Sequence, residues 1–139
     1  MSARTFVLHT RSSGRERKVR CVVYDELRQM QVAAEKWSGE DHSKTLAVSQ
    51  PSYAYILEED GTEIGQPGAG YIRLARERMG GTIVSHEALH MALAIYRDDW
   101  QAEHGPPENS MENEEVLCHI MSDLIDEAIR KFYKAGIYP

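Results

Sequence analysis

Three residues in the stretch "TIVSHEALHMALAIYRD", residues 82–98, have the side chains that a hydrolytic metal site needs: His86, Glu87 and His90. On an α-helix, residues four apart lie one turn above each other, so both imidazoles can bind one ion. The glutamate beside them can take a proton from a water molecule bound to that ion. The pattern H-E-x-x-H therefore predicts two zinc ligands, His86 and His90, and one general base, Glu87.

The residues around this motif are apolar on every side of the helix, which predicts that the helix is buried on most of its surface. Two histidines and a glutamate in such a helix need polar partners, and a metal ion provides them. The alternative is a core helix whose histidines are hydrogen-bonded to neighbouring groups. The apolar residues are Ile83, Val84, Ala88, Leu89, Met91, Ala92, Leu93 and Ile95.

A catalytic zinc usually has three protein ligands, so a third must come from elsewhere in the chain. The metzincin continuation is absent, because Tyr96 stands where its third histidine would be. The better candidates are acidic residues in the segment "MENEEVLCHIMSDLIDEAI". At about 100° per residue, its apolar side chains share one helix face, Glu115 lies opposite that face, and Glu114 lies at its edge.

This arrangement resembles the gluzincin metallopeptidases, in which a second helix begins with an N-E-type pair and donates its glutamate to zinc. Both Asn113-Glu114 and Glu114-Glu115 match that pair. In the gluzincin pattern the ligand lies opposite the apolar face, with a polar residue four later and a small residue seven later. Glu115, His119 and Ser122 reproduce this order. The resemblance therefore favours Glu115 as the third ligand, with Glu114 as the alternative and His119 as a neighbour of the site.

The order of strand, turn, H-E-x-x-H helix, loop and glutamate helix is also similar to compact intracellular zincins, including the ImmA/IrrE peptidases and zincin-like proteins of phages and mobile elements. It covers about half of the chain. The resemblance implies a zinc metallopeptidase acting on an intracellular protein or peptide, with the carbonyl polarised by zinc and the water activated by Glu87. It also implies that the strand at residues 70–78 is a template for the substrate. The alternative is a zincin-fold binding or regulatory module with little or no catalysis.

Local patterns predict the elements that position these residues. Alternating and β-branched runs predict strands at residues 5–10, 19–24, 45–49, 52–59 and 70–78. Helical spacing predicts one helix capped by Asp25 and closed by Gly39, and a second from Thr82 to about residue 99. A loop is expected from residue 100, and a last helix opens at Asn109 or Ser110 and ends before Gly136. The result is an α+β, zincin-like domain in which N-terminal strands and a helix form a sheet layer.

Composition limits the remaining possibilities. With 139 residues the chain fits one domain, 1–139, and its net charge of −6 argues against nucleic acid as a partner. The basic segment "RSSGRERKVR", residues 11–20, is expected to be solvated, within a partly flexible arm at residues 1–20. Two cysteines make no disulfide framework, which fits a cytoplasmic setting. The apolar run at residues 6–8 is too short for the core of a signal peptide or for a spanning helix, so neither is expected there.

Overall fold

The structure, a computed structural model, describes residues 3–52, 55–57, 59, 63–65 and 68–138. The strands are β1 (Ala3–Thr10), β2 (Arg17–Tyr24), β3 (Ala47–Pro51), β4 (Tyr55–Leu57), β5 (Glu63–Gly65) and β6 (Gly68–Ala75). The helices are α1 (Leu27–Ser38), α2 (Gly81–Tyr96), α3 (Ala102–His104) and α4 (Met111–Lys134). No helix among these residues combines the length and apolar character needed to cross a membrane.

A four-stranded mixed sheet forms the centre of the fold, with the strand order β1-β2-β6-β3. β1 and β2 form an antiparallel hairpin, β2 and β6 are parallel, and β3 is antiparallel to β6. β4 and β5 pair separately as a small antiparallel ribbon. The expected α+β class is therefore confirmed.

Side-chain alternation along the strands gives the sheet two apolar faces. One face packs on α1 through a cluster that includes Val22, Tyr24 and Met30. The larger core lies on the opposite face, between the sheet and the two long helices α2 and α4. Its residues with essentially no exposed surface include Val19, Leu74, Met91, Ala92, Tyr96, Ile120, Leu124 and Phe132.

The two long helices run antiparallel. The indole Nε1 of Trp100, just after α2, donates to Asn113 Oδ1 in the first turn of α4 at 2.9 Å. At the other end, Tyr138 donates its hydroxyl proton to the carbonyl of Met79, just before α2, at 2.9 Å. These two contacts fix which part of α4 lies beside the H-E-x-x-H residues.

The basic segment differs from its expected solvated state. Residues 17–20 belong to β2, and Arg17 is 1% exposed. Its guanidinium forms an ion pair with Asp99, whose side chain is fully buried. The expectation was wrong for this part because a buried carboxylate distant in sequence compensates the desolvation of Arg17.

Several boundaries also differ. Residue Glu26, not Asp25, is the N-cap of α1, where its N–H donates to Gln29 Oε1 at 3.2 Å. α2 begins before Thr82, because the carbonyl of Gly80 already accepts from the helix. A π segment at Arg97–Gln101 and α3 continue the helical structure past residue 99, whereas a loop was expected from residue 100.

Two other boundaries were expected correctly. Gly39 closes α1 in the left-handed conformation, and the Ser110 hydroxyl caps α4 by accepting from the N–H of Asn113 at 3.1 Å. The strand expected at residues 52–59 is β4 in its centre, while residues 53, 54 and 58 lie outside the described part of the chain.

Candidate functional site

The two histidines of the motif meet on one exposed face of α2. Their Nε2 atoms are 3.1 Å apart, and the ring centroids are separated by 4.7 Å. The one-turn spacing of His86 and His90 brings them together, as expected from the sequence. Both His86 and His90 are exposed to solvent.

Glu87 lies beside them but is buried, with 6% of its surface exposed. The Ser49 hydroxyl of β3 lies 2.9 Å from Glu87 Oε2 and 2.7 Å from the backbone carbonyl of Glu87, so one hydroxyl proton is shared between two acceptors. The other oxygen, Oε1, lies 4.0 Å from His86 Nε2. Glu87 is therefore held with one carboxylate oxygen on β3 and the other towards the histidines.

A cavity of about 410 Å³ opens between β3 and the histidine face of α2. Its β3 wall includes Ser49 and Pro51, and its α2 wall includes His86, Glu87, His90, Ala94 and Arg97. A second cavity continues past Arg97 to Asp98, whose carboxyl pKa is raised by burial. The candidate site is thus a cleft of mixed polarity with three polar motif residues along one wall.

Glu114 and Glu115, the two candidate third ligands, lie on different sides of α4. Glu115 Oε2 is 3.5 Å from His119 Nε2, and the Glu115 side chain is 60% exposed. Met121 of α4 lines a cavity together with His86 and Leu89, so that flank of α4 faces α2. Glu114 precedes Met121 by seven residues, nearly two turns, and therefore lies on the same flank. Glu115 is rotated a further 100° or so, away from α2.

The arrangement matches part of what a zinc site requires. Two nitrogens bound tetrahedrally at about 2.0–2.1 Å would be about 3.3 Å apart, close to the 3.1 Å between the histidines. Within the described residues, no group of three His, Cys, Asp or Glu side chains is close enough together to hold a metal ion. The two histidines are brought together, whereas neither Glu114 nor Glu115 joins them.

Two polar residues of this cleft were not anticipated, Ser49 and Arg97. A helical projection of the sequence could have found Arg97, which follows His90 by seven residues and so lies on its face. Ser49 had no such local signal, because it reaches Glu87 from a strand 38 residues earlier. The strand bordering the cleft also differs from the expected one, since β6 lies inside the sheet and β3 is the strand at the edge.

Comparison with known proteins gives no further information about this site. No protein-family model, curated protein or solved structure was found to match the chain.

Proposed function

We propose that the protein is a zincin-like zinc metallopeptidase acting on protein or peptide substrates. The observation that carries this proposal is the joint geometry of His86, Glu87 and His90. Two imidazole nitrogens lie at the separation expected of zinc ligands, and a buried carboxylate points one oxygen towards them along a cleft. This combination supports metal-assisted hydrolysis more directly than any other chemistry available in the described residues.

Each residue has a distinct role in this reaction. His86 and His90 would hold zinc, which when bound lowers the pKa of a coordinated water and polarises a carbonyl. Glu87 accepts the proton of the attacking water and passes it to the leaving amine. Ser49 restricts the rotation of the Glu87 carboxylate, because its hydroxyl is within hydrogen-bonding distance of Oε2. β3 is the edge strand of the sheet among the described residues, so an extended peptide can lie along its outer side.

The third ligand is proposed to come from the first turn of α4. The flank that faces α2 carries Glu114, whereas Glu115 faces solvent and pairs with His119. Because Asn113 contacts Trp100, Glu114 lies nearer the end of α2 than His90 does, so the first turn of α4 would have to move along α2 for Glu114 to join the histidines. The structure-based preference is therefore for Glu114, while the family resemblance favours Glu115, and the two predict different mutant behaviour.

Zinc content tests the site directly. The amount of zinc per chain would be measured in untagged protein and in the single variants His86→Ala, Glu114→Ala and Glu115→Ala, with circular dichroism as the folding check. We expect about one zinc in the parent, none in His86→Ala, and a loss in only one of the glutamate variants. A folded parent that takes up no zinc when supplied with it would refute the proposed site.

Hydrolysis tests the activity separately. Release of fluorescent peptides from labelled casein would be compared for the zinc-loaded parent, Glu87→Gln and the control Glu40→Gln, an exposed residue outside the cleft. Loss of the general base is expected to reduce the rate by about 100-fold or more, while zinc is retained. Equal rates for the parent and Glu87→Gln would exclude the proposed role of Glu87.

A non-catalytic binding or regulatory module with the same cleft is the second candidate. It is favoured by the hydrogen-bonding distance between His86 and His90, which lets the two imidazoles satisfy one another, and by the separation of the α4 glutamates from them. In that case Glu87→Gln would retain the biological function. The zinc and casein measurements together distinguish the two candidates.

A further inference from the structure

Arg97 extends the histidine face of α2 beyond the motif. It follows His86 by eleven residues and His90 by seven, close to three and two helical turns. The three side chains therefore project from the same side of the helix. Arg97 lines the main cavity together with both histidines and Glu87, and it also lines the adjoining cavity beside Pro51.

The guanidinium of Arg97 is available for a ligand. Arg97 is exposed, and it makes no side-chain hydrogen bond or ion pair with the described residues. By contrast, Arg28 pairs with Glu35 at 2.9 Å and Arg130 with Asp126 at 3.1 Å. The neighbouring Asp98 interacts with Arg97 through longer-range electrostatics only, without an ion pair. Arg97 is thus a cation at one end of the cleft that contains the motif.

We propose that Arg97 binds a carboxylate of the substrate, so that a peptide with a side-chain or terminal carboxylate at this position is preferred. This inference rests on the proposed function, because it assigns the specificity of the same cleft. Arginine presents planar, paired N–H donors that match a carboxylate, and the hydrogen bonds are charge-assisted. A guanidinium in the cleft with no carboxylate partner among the described residues is the feature that selects this chemistry over an apolar or a basic ligand.

The distance along the helix places that carboxylate. Seven residues at 1.5 Å rise separate Arg97 from His90 by about 10 Å, which an extended peptide covers in about three residues at 3.3 Å each. β3 borders the same cleft, because Ser49 contacts Glu87 and Pro51 lines both cavities together with Arg97. A carboxylate at this distance can belong to an Asp or Glu side chain or to the C-terminus of the peptide.

The net charge of the chain opposes the proposed preference for a carboxylate, which makes that preference informative to test. At a net charge of −6 the chain repels acidic peptides at long range. A preference for them must therefore arise from a local contact. The preference should also weaken as salt is added, since the contact lies in an exposed cleft.

Peptide binding to Glu87→Gln protein, supplied with zinc, tests the inference without hydrolysis. The probes are fluorescein-labelled nine-residue peptides of Ala and Ser: an amidated pool with one Asp, the same pool with Asn, the Asn pool with a free C-terminal carboxylate, and an amidated pool with one Lys. Fluorescence anisotropy at low salt gives the affinities. We expect about fivefold tighter binding of one carboxylate-bearing pool over the amidated Asn pool, an effect typical of an exposed ion pair.

The variants identify the residue. Arg97→Ala should abolish the preference and Arg97→Glu should transfer it to the Lys pool, whereas Arg130→Ala, with the same change in net charge, should preserve it. The Asp pool and the free-carboxylate pool show which source of carboxylate is bound. Unchanged preference in Arg97→Ala, or no measurable binding of any acidic pool, would overturn the inference.

Failure of the proposed function gives a different pattern. If casein is not cleaved and zinc is not bound, but acidic peptides still require Arg97, the carboxylate site stands and the peptidase does not. If casein is cleaved by the parent and by Arg97→Ala with the same preference among acidic and neutral sites, the peptidase stands and the role of Arg97 is refuted.

Discussion

Replacing Asp99 with alanine is expected to lower the free energy of unfolding by about 3 kcal/mol, the lower end of the range for a broken buried ion pair. The Asp99 side chain is fully buried and that of Arg17 is 1% exposed. Arg17 Nε donates to Asp99 Oδ2 at 2.9 Å, and the Ser13 hydroxyl donates to the same oxygen at 2.6 Å. Removing the carboxylate takes away a charge partner of a guanidinium that stays buried.

Urea denaturation followed by circular dichroism measures this effect. For a slope of about 1.5 kcal/mol per molar urea, a loss of 3 kcal/mol moves the midpoint by about 2 M. Arg17→Met should lower stability comparably, but the double variant Arg17→Met/Asp99→Ala should lose much less than the sum of the two single variants, because both charges are gone. The exposed pair of Arg28 and Glu35 is the control, and Glu35→Ala should change stability by about 0.5 kcal/mol or less.

Two results would refute this reasoning. A loss below about 1 kcal/mol in Asp99→Ala would mean that water or other groups replace the carboxylate without difficulty. Additive losses in the double variant would mean that the two side chains act independently of each other. Either result would also mean that this ion pair does not hold the segment after α2 against the β1–β2 hairpin.

Two further predictions concern single positions in the sheet and in α4. Gly70→Ala is expected to lower stability by about 2 kcal/mol or more, because φ is +118° and a Cβ would lie 2.2 Å from the Gln50 carbonyl oxygen. Gly68→Ala is the control, because its Cβ would meet none of the described residues within 4 Å apart from its chain neighbours. Equal melting temperatures of the two variants would contradict the argument. Burial raises the pKa of the Cys21 thiol to about 12, whereas Cys118 is exposed. One thiol per chain should therefore react with a chromogenic disulfide at pH 8, with the second reacting only after denaturation, and two fast thiols in native protein would refute this.

The regular elements could be predicted where their own residues determine their packing. The apolar spacing of the last helix correctly identified its core face, since Ile120, Leu124 and Ala128 are buried. The continuation of α2 as helical structure to residue 104 could not be predicted in this way. Its π segment contains Asp99 and Trp100, which contact the β1–β2 hairpin and Asn113. Those tertiary contacts keep the backbone helical up to the Gly-Pro-Pro sequence, where the helix ends at His104.

In the candidate site, too, the local arrangement could be predicted from the sequence and the tertiary contacts could not. His86, Glu87 and His90 lie together because of their spacing on one helix, which is a local property of the sequence. The contact of Ser49 with Glu87 depends on the pairing of β3 with β6 and on the packing of α2 across that sheet. No periodicity within either segment encodes it.

The identity of the third ligand depends on helix packing rather than on helix phase alone. α4 lies over the sheet with one flank towards α2, through Met121, and the other towards β1, where Thr10 Oγ1 donates to Asp123 Oδ2 at 2.8 Å. A side chain opposite the core, such as Glu115, therefore faces neither neighbour. Only a residue on the α2 flank can approach the histidines without rotating the whole helix, and among the acidic residues of the first turn Glu114 meets that condition. Loss of zinc in Glu115→Ala, with zinc retained in Glu114→Ala, would thus require α4 to pack in a different orientation when the metal binds.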